Sequence, residues 1–300
     1  MSISNSFSAT PNSRQKRADG INFAWQHGAS VISNSWTSGV RYQIIDDAIT
    51  NALTYGRNGL GCVVVFAAGN DNSSVDYPAN SNPEIIAVGA INQCGERKSY
   101  TSCDGETGWG SNYGTEIDIA APGVLIPTTD RTGSDGYNPN TPLHTGNGGS
   151  LIASDYSNRD YTVWFNGTSA ACPHVAGTAA LMLSVNPCLT QRDVSDIIES
   201  TAQKVGGYNY QIVTGRPNGT WANQLGYGLL DANAAVVQAM NHNILTLADI
   251  IYEQDATIDG CNDVEISNVE VHNGARPEID ANNVIIRNFK SQAGTELYVH

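Results

Sequence analysis

The apolar run from Cys62 to Ala68, Cys-Val-Val-Val-Phe-Ala-Ala, constrains the fold of this chain more than any other segment. It is far too short to span a bilayer, and its β-branched residues favour a strand. A strand with no polar face must be covered on both sides, as in a parallel sheet layered by helices. Ile85 to Ala90 repeats the pattern. Between and before these runs the spacing changes to helical. Ile21, Ala24 and Trp25 predict a short helix stopping at Gly28, and Ile44, Ile45, Ala48, Ile49, Ala52 and Leu53 predict a second. Val31 to Trp36 reads as a strand between them. Alternation of this kind indicates an α/β domain with a mostly parallel sheet.

Further along, Ala170 to Ser184 is apolar nearly all round, which predicts a buried helix. Thr190 with Asp193 has capping-box spacing ahead of Val194, Ile197 and Ile198. Gly228 to Met240 reads as a last helix. Thr128 to Tyr161 is rich in Gly, Asn, Asp, Ser and Thr, and reads as a long surface insertion. After about Leu245 the helical signals stop. Short β-like pieces follow at Ala256–Asp259, Val264–Ile266, Val269–Val271, Val284–Ile286 and Leu297–Val299. Gly274 and Gly294 open similar phrases twenty residues apart. Solenoid rungs and a fragment of β-sandwich both fit that texture. The expected organisation is an α/β domain over 1–245 and a small all-β segment over 246–300.

Composition excludes several classes of partner. Charged residues are 15% of the chain and hydrophobic residues 40%, a globular balance. The formal net charge of −14 argues against nucleic acid or an anionic membrane as the main partner. No apolar stretch is long enough for a membrane span, and the polar start, MSISNSFSATPNSRQKRADG, has no signal-peptide core. The six cysteines show neither a CxxC pair nor metal spacing. Cys94 and Cys103 could bridge a short loop in an oxidising compartment, whereas Cys62 and Cys172 sit in apolar elements and read as buried free thiols.

Chemistry is concentrated in Asn166-Gly-Thr-Ser-Ala-Ala-Cys-Pro-His-Val-Ala-Gly177. Ser169 stands where a buried helix begins, among free backbone N–H groups and a positive dipole end. Pro173 falls within the first turn, where a missing donor costs little. Small residues let the helix pack closely. Phe66-Ala-Ala-Gly-Asn70 closes an apolar strand with a neutral amide. Taken singly, Ser169 would pass for an N-cap and Asn70 for a turn residue.

Together these segments resemble the subtilisin-like serine proteases. Val31-Ile-Ser-Asn-Ser-Trp-Thr37, Tyr77-Pro-Ala79, Ile85–Ala90, Ser111-Asn-Tyr-Gly114, Asp118-Ile-Ala-Ala-Pro-Gly123 and Gly226-Tyr-Gly-Leu-Leu230 extend the resemblance in order, over about residues 18–241. It implies a three-layer α/β fold with Ser169 as nucleophile and Asn70 as oxyanion donor. It also implies an extended polypeptide substrate laid along Ser35, Trp36 and Thr37, and a pocket wall at Gly69. Trp36 equally suits a packed core position. No cofactor is required. Structural calcium is compatible with the family, with no ligand set to assign, and the expected location is extracellular or at the cell surface.

The base and its orienting acid do not emerge from the pattern. In the family both precede the substrate strand, on an Asp-Thr-Gly or Asp-Ser-Gly strand end and a His-Gly-Thr helix start. Here that stretch holds Asp19 and His27 alone among acids and histidines. His27 closes a helix instead of opening one, and His174 is a framework residue of the serine motif. The remaining histidines, His144, His242, His272 and His300, lie outside the family's order for a base. The expectation is therefore a domain missing its N-terminal strands, inactive alone and prone to aggregate. A peptide-binding pseudoenzyme and a surface-attachment protein acting through its β-rich tail are the other readings.

Overall fold

The computed structural model describes residues 12–136, 138, 155–242, 244–253 and 255–299. The elements run α1 (Ser13–Gln26), β1 (Val31–Asn34), α2 (Gln43–Tyr55), β2 (Val63–Ala67), β3 (Ile86–Ile91) and β4 (Ile119–Pro122). Then follow β5 (Ile126–Thr129), β6 (Tyr161–Phe165), α3 (Thr168–Val185), α4 (Gln191–Ser200) and α5 (Ala232–Met240). Strands β1 to β4 form a parallel sheet in sequence order. Among the described residues β1 has a ladder partner on one side only, β2.

Both faces of the sheet are covered, as the apolar runs require. Val63, Val65 and Ala67 of β2 point into a core shared with α3, α4 and α5. Val64, Phe66 and Ala68 point the other way, against α1 and α2. Every residue of β2 and β3 is buried. The period-2 alternation of a strand thus divides one apolar sequence between two cores.

Some elements differ from the sequence expectation. Helix α1 begins at Ser13, well before its apolar residues, through a polar stretch that carries no hydrophobic period. The strand expected over Val31 to Trp36 stops at Asn34, and α5 begins at Ala232, capped by Asp231, whose side chain accepts from Ala234 N–H. The expected insertion starts and ends in order: β5 and β6 form an antiparallel hairpin across its base. Its middle lies outside the described residues. The Thr190–Asp193 capping box forms in both directions.

The C-terminal segment is built from β7 (Ile244–Ala248), β8 (Ile251–Tyr252), β9 (Thr257–Ser267), β10 (Glu270–Val271), β11 (Glu278–Arg287), β12 (Lys290–Ser291) and β13 (Tyr298–Val299). All pairings among them are parallel, in two ladders ordered β7-β9-β11-β13 and β8-β10-β12. Stacked parallel ladders are the geometry of solenoid rungs, not of a sandwich. Leu245, Val264 and Val284 lie in register and face its interior. Each rung turns through a left-handed residue at the same place, Asp249, Asn268 and Asn288, and the Asn288 side-chain amide donates to Asn268 Oδ1 at 3.1 Å.

Cys94 pairs with Cys103, and Cys62 and Cys172 are buried free thiols, all as expected. A second disulfide joins Cys188, just beyond α3, to Cys261 of β9, straddling 73 residues. It straps the solenoid to the α/β domain, where Leu60 packs into the solenoid core and Asn58 donates to Thr257 O at 2.9 Å. Closing so long a loop restricts the unfolded chain strongly. The double substitution Cys188→Ser/Cys261→Ser is expected to remove about 3–5 kcal/mol in urea denaturation; an unchanged midpoint would show that the strap adds nothing.

Two acids, Asp118 just before β4 and Glu199 of α4, are buried close enough to interact. Asp118 accepts from Ala87 N–H at 2.8 Å and forms an ion pair with Arg216. Glu199 accepts from the Asn218 side-chain amide at 2.8 Å and from Ser195 Oγ at 3.1 Å. Burial raises the pKa of Glu199 and the Asp118 charge adds to the shift, while the Asn218 and Ser195 hydrogen bonds oppose it. Burial likewise raises Asp118, against the opposing pull of Arg216. A carboxyl raised in the fold contributes stability that is complete below its unfolded pKa and lost as pH rises through the folded value. Glu199→Gln is therefore expected to exceed the parent in stability at about pH 8 and to match it near pH 4, measured by chemical denaturation.

Candidate active site

Ser169 is the second residue of α3, and Gly167 is the N-cap at φ 106°. That φ suits glycine alone. The chain must turn sharply here because Gly167 N–H donates to Gly123 O at 2.8 Å, which pins the helix start to the end of β4. Helix α3 then runs across the sheet on small side chains. Ala171, Cys172, Val175, Ala176 and Ala179 all lie in the core it shares with β2, β3 and β4.

The first-turn donors of α3 are nearly all used. Thr168 N–H donates to Asn70 Oδ1 at 2.9 Å, and Ala170 and Ala171 N–H both donate to Gly167 O, at 2.9 and 3.3 Å. Ser169 N–H has no acceptor among the described residues. It sits at the positive end of the helix dipole, beside a half-exposed hydroxyl.

Asn70 is fixed by the same helix start. Its Oδ1 accepts from Thr168 Oγ1 at 3.0 Å as well as from Thr168 N–H, so the amide orientation is set and Nδ2 is the donor left facing outward. Thr168 Oγ1 in turn accepts from Gly69 N–H at 3.2 Å. Thr168 is fully buried and locks the end of β2 to the start of α3. Sequence reading assigned it no role, because its partners lie about a hundred positions away.

Ser35 completes the cluster. Its Oγ donates to Ser169 O at 2.9 Å, and Ser169 Oγ donates to Ser35 O at 3.4 Å. The nucleophile candidate is thus set against the strand expected to bind substrate. Trp36 is half-buried, with its indole N–H donating to Asn34 Oδ1 at 3.1 Å and its ring edge-on to Phe66 at 5.2 Å. This places Trp36 against the core shared with α1 and α2.

Gly69 has φ 109°, and a side chain there would sit 2.3 Å from Asp76 Oδ2 and 2.3 Å from Asn112 Nδ2. Asp76 is a residue that the sequence reading passed over. Burial pushes its carboxyl above the usual range, the charge of Asp71 adds to this, and a hydrogen bond from Thr37 opposes it.

The described histidines do not reach Ser169. His27 caps the end of α1, stacked on Phe23 at 3.9 Å with Nδ1 2.8 Å from Phe23 O. His174 Nδ1 lies 2.8 Å from Ala170 O, one turn back on α3. His242 lies 3.6 Å from Asp193, and His272 lies 3.1 Å from Glu270. His144 and His300 lie outside the described residues. The buried thiols are no substitute nucleophiles: burial raises both, Cys62 to about 11, and Cys62 Sγ donates to Ala29 O at 2.9 Å.

Thr168→Val should leave Asn70 Oδ1 with one of its two bonds, that from the residue-168 N–H, and orphan Gly69 N–H. A loss of about 1–3 kcal/mol in denaturation is expected. A variant as stable as the parent would mean that Asn70 is held by other contacts.

A family model described as the subtilase family of peptidases matches residues 2–228. The chain is similar to a calcium-dependent protease of Trichormus variabilis, 36% identical over 284 residues, covering 86% of this chain and 38% of that protein. It is also similar to a subtilisin of Bacillus pumilus, 34% identical over 197 residues, covering 64% of this chain and 56% of the relative. The chain thus spans between about a third and somewhat over half of these relatives' lengths. Among solved structures, a serine protease of Aeromonas sobria aligns over 78% of this chain and 47% of its own, at a TM-score of 0.59 and 21% identity, a likeness of fold.

Proposed function

This chain belongs to the subtilase family, and from that premise we propose that it is the nucleophile-bearing part of a serine endopeptidase acting on polypeptides. The observation that carries this reading is the joint fixing of Ser169 and Asn70 by the first turn of α3.

In the proposed reaction, Ser169 Oγ attacks the carbonyl of an extended substrate paired along Ser35–Thr37. The negative charge that develops on the carbonyl oxygen is received by Asn70 Nδ2 and Ser169 N–H, two donors already oriented before substrate arrives. Gly69 supplies a bare wall beside the residue that precedes the cut. Collapse of the tetrahedral intermediate releases the amine and leaves an ester on Ser169, which water then hydrolyses.

The hydroxyl proton is the unmet requirement. Ser35 O, a main-chain carbonyl, orients Ser169 Oγ–H and is too weak a base to remove its proton. We therefore assign the base and its orienting acid to a separate polypeptide docked along the edge of β1 that has no ladder partner among the described residues, with the chain inactive alone. The relative named as calcium-dependent raises the question of a structural metal here. No group of three or more His, Cys, Asp or Glu converges among the described residues, so these side chains do not form a carboxylate cage for it. Two disulfides suit an oxidising, extracellular setting. No described helix is long and apolar enough to cross a membrane.

A fluorophosphonate probe tests this reading, because it labels a serine only where a base activates it. The isolated chain is expected to label no more than Ser169→Ala, with no casein hydrolysis. Strong labelling that is lost in Ser169→Ala would place a working base within this chain.

A further inference from the structure

Between β3 and β4 the chain makes an excursion, residues 92–111, around a lysine shut off from solvent. Lys98 is fully buried, and its ammonium pairs with Asp104 at 2.9 Å, whose side chain is 1% exposed. The same Nζ donates to Ser99 O at 2.8 Å, to Ser102 Oγ at 3.4 Å and to Glu106 O. It therefore meets one carboxylate, two main-chain carbonyls and one hydroxyl. The Trp109 ring centroid lies 5.4 Å away. Asp104 is saturated in turn, accepting from Glu106 N–H at 3.0 Å, the Asn92 side-chain amide at 3.1 Å and Ser102 Oγ at 2.6 Å. Burial opposes its charge, but the bonds from Ser102, Lys98 and Glu106 N–H hold its pKa below the usual range.

Carboxylate, carbonyl and hydroxyl oxygens converging on one point are the donors that hard cations take. Here that point is filled by the chain's own ammonium. Being tethered, the charge is present whatever the concentration of free ions, whereas a bound metal stabilises only by mass action.

The excursion is fastened to the turn that carries Asn70. Lys98 N–H donates to Ala90 O and Ser111 N–H donates to Lys98 O, both at 2.9 Å. Gly110 N–H donates to Asn70 O at 3.2 Å, and Asn72 N–H donates to Gly110 O at 2.8 Å. Arg97 Nη1 donates to Asn72 Oδ1 at 2.7 Å. The Cys94–Cys103 disulfide closes only the outgoing part of the excursion. The returning limb, from Asp104 to Gly110, is drawn in by Lys98 through Asp104 and Glu106.

We propose that Lys98 is a built-in structural cation, taking in this loop the part of a bound metal ion, so that the chain beside Asn70 is ordered without calcium. Lys98 is a positioning residue, acting through Gly110 on the Asn70–Asn72 backbone. The importance of Asn70 rests on the endopeptidase reading above; the assignment of the cation does not, and its test involves no turnover.

That test is residue-resolved hydrogen exchange on the whole chain, at the bonded amides of Asn72, Lys98, Glu106, Gly110 and Ser111. In the parent, their exchange is expected to be the same in excess calcium and in EDTA. In Lys98→Ala without calcium they should exchange at least about tenfold faster, because Asp104 is left buried and unpaired. Calcium at about millimolar concentration, the range of weak oxygen-only sites, should enter the vacated cage and restore much of the protection. Folding of Lys98→Ala only when calcium is present counts as the same restoration. In Lys98→Met an uncharged side chain of similar length fills the space, so calcium should restore nothing. Loosening of the parent loop in EDTA overturns the proposal, and that arm needs no variant. Exchange in Lys98→Ala as slow as in the parent also overturns it, as does calcium protecting both variants or neither. Faster exchange at Lys98, Glu106 and Ser111 with Asn72 unchanged overturns the positioning of the Asn70 turn.

Discussion

The close seating of α3 on the sheet is the constraint on which the site depends. A helix of Ala, Cys, Val and Thr can lie nearer to strands than one of Leu and Phe, and this one places Ala171, Cys172 and Ala176 directly on β2, β3 and β4. At its start the approach is close enough that a side chain at Gly123 would sit 2.9 Å from Gly167 O. That contact delivers the first-turn N–H groups of α3 to the end of β2. Asn70 then serves as the acceptor for one of them, and Thr168 closes the loop back to Gly69. A larger residue in the buried stripe of α3 would lift the helix and separate Ser169 from Asn70 together.

The same helix separates the site from the appendage. Ser169 and Asn70 lie where α3 begins and β2 ends. Cys188 lies just past the other end of α3, and Arg57, Asn58 and Leu60 lie just before β2. Arg57 donates to Gly61 O at 3.2 Å, Leu189 O at 2.8 Å and Pro187 O at 2.6 Å, binding these two chain segments where the solenoid attaches. The solenoid is thus docked at the end of the sheet remote from Ser169. Sites of open α/β sheets lie at the carboxyl ends of the strands, so the appendage leaves that end open. Its physical effect here is to brace the far ends of α3 and β2 through one disulfide and a shared apolar core.

Much of this was legible in the sequence because it is local. The unbroken apolar runs require covered strands, the Thr190–Asp193 spacing writes its own cap, and the small-residue run after Ser169 marks the buried helix that begins there. Elements with no local period were not legible. The polar first turns of α1 are helical because the later part of the helix is buried. The pairing of β5 with β6 joins ends separated by a Gly- and Asn-rich stretch whose composition signals only a loop. Cys188 and Cys261 carry no spacing signal, since a bridge across 73 residues is a property of the tertiary fold. Nothing local in the sequence singles out Asp76. Only the structure brings it against Gly69, at a distance that shows the glycine is required there.

The two halves of the proposed chemistry depend on different kinds of interaction, which explains how one can be formed without the other. Oxyanion stabilisation here depends on main-chain N–H and a neutral amide, held by helix geometry and by Thr168. None of these groups has a protonation state to adjust, so that half is complete as soon as α3 packs on the sheet. Proton removal needs a side chain of suitable pKa at hydrogen-bonding distance from Ser169 Oγ, oriented by a further group. In the described structure that place is taken by Ser35 O at 3.4 Å, a long contact whose loss costs little. A base arriving at the site would have only that weak bond to displace. In the proposed enzyme the order of assembly follows: the packed core fixes the electrostatic half first, and activity appears when a base is positioned against a hydroxyl that is already in place.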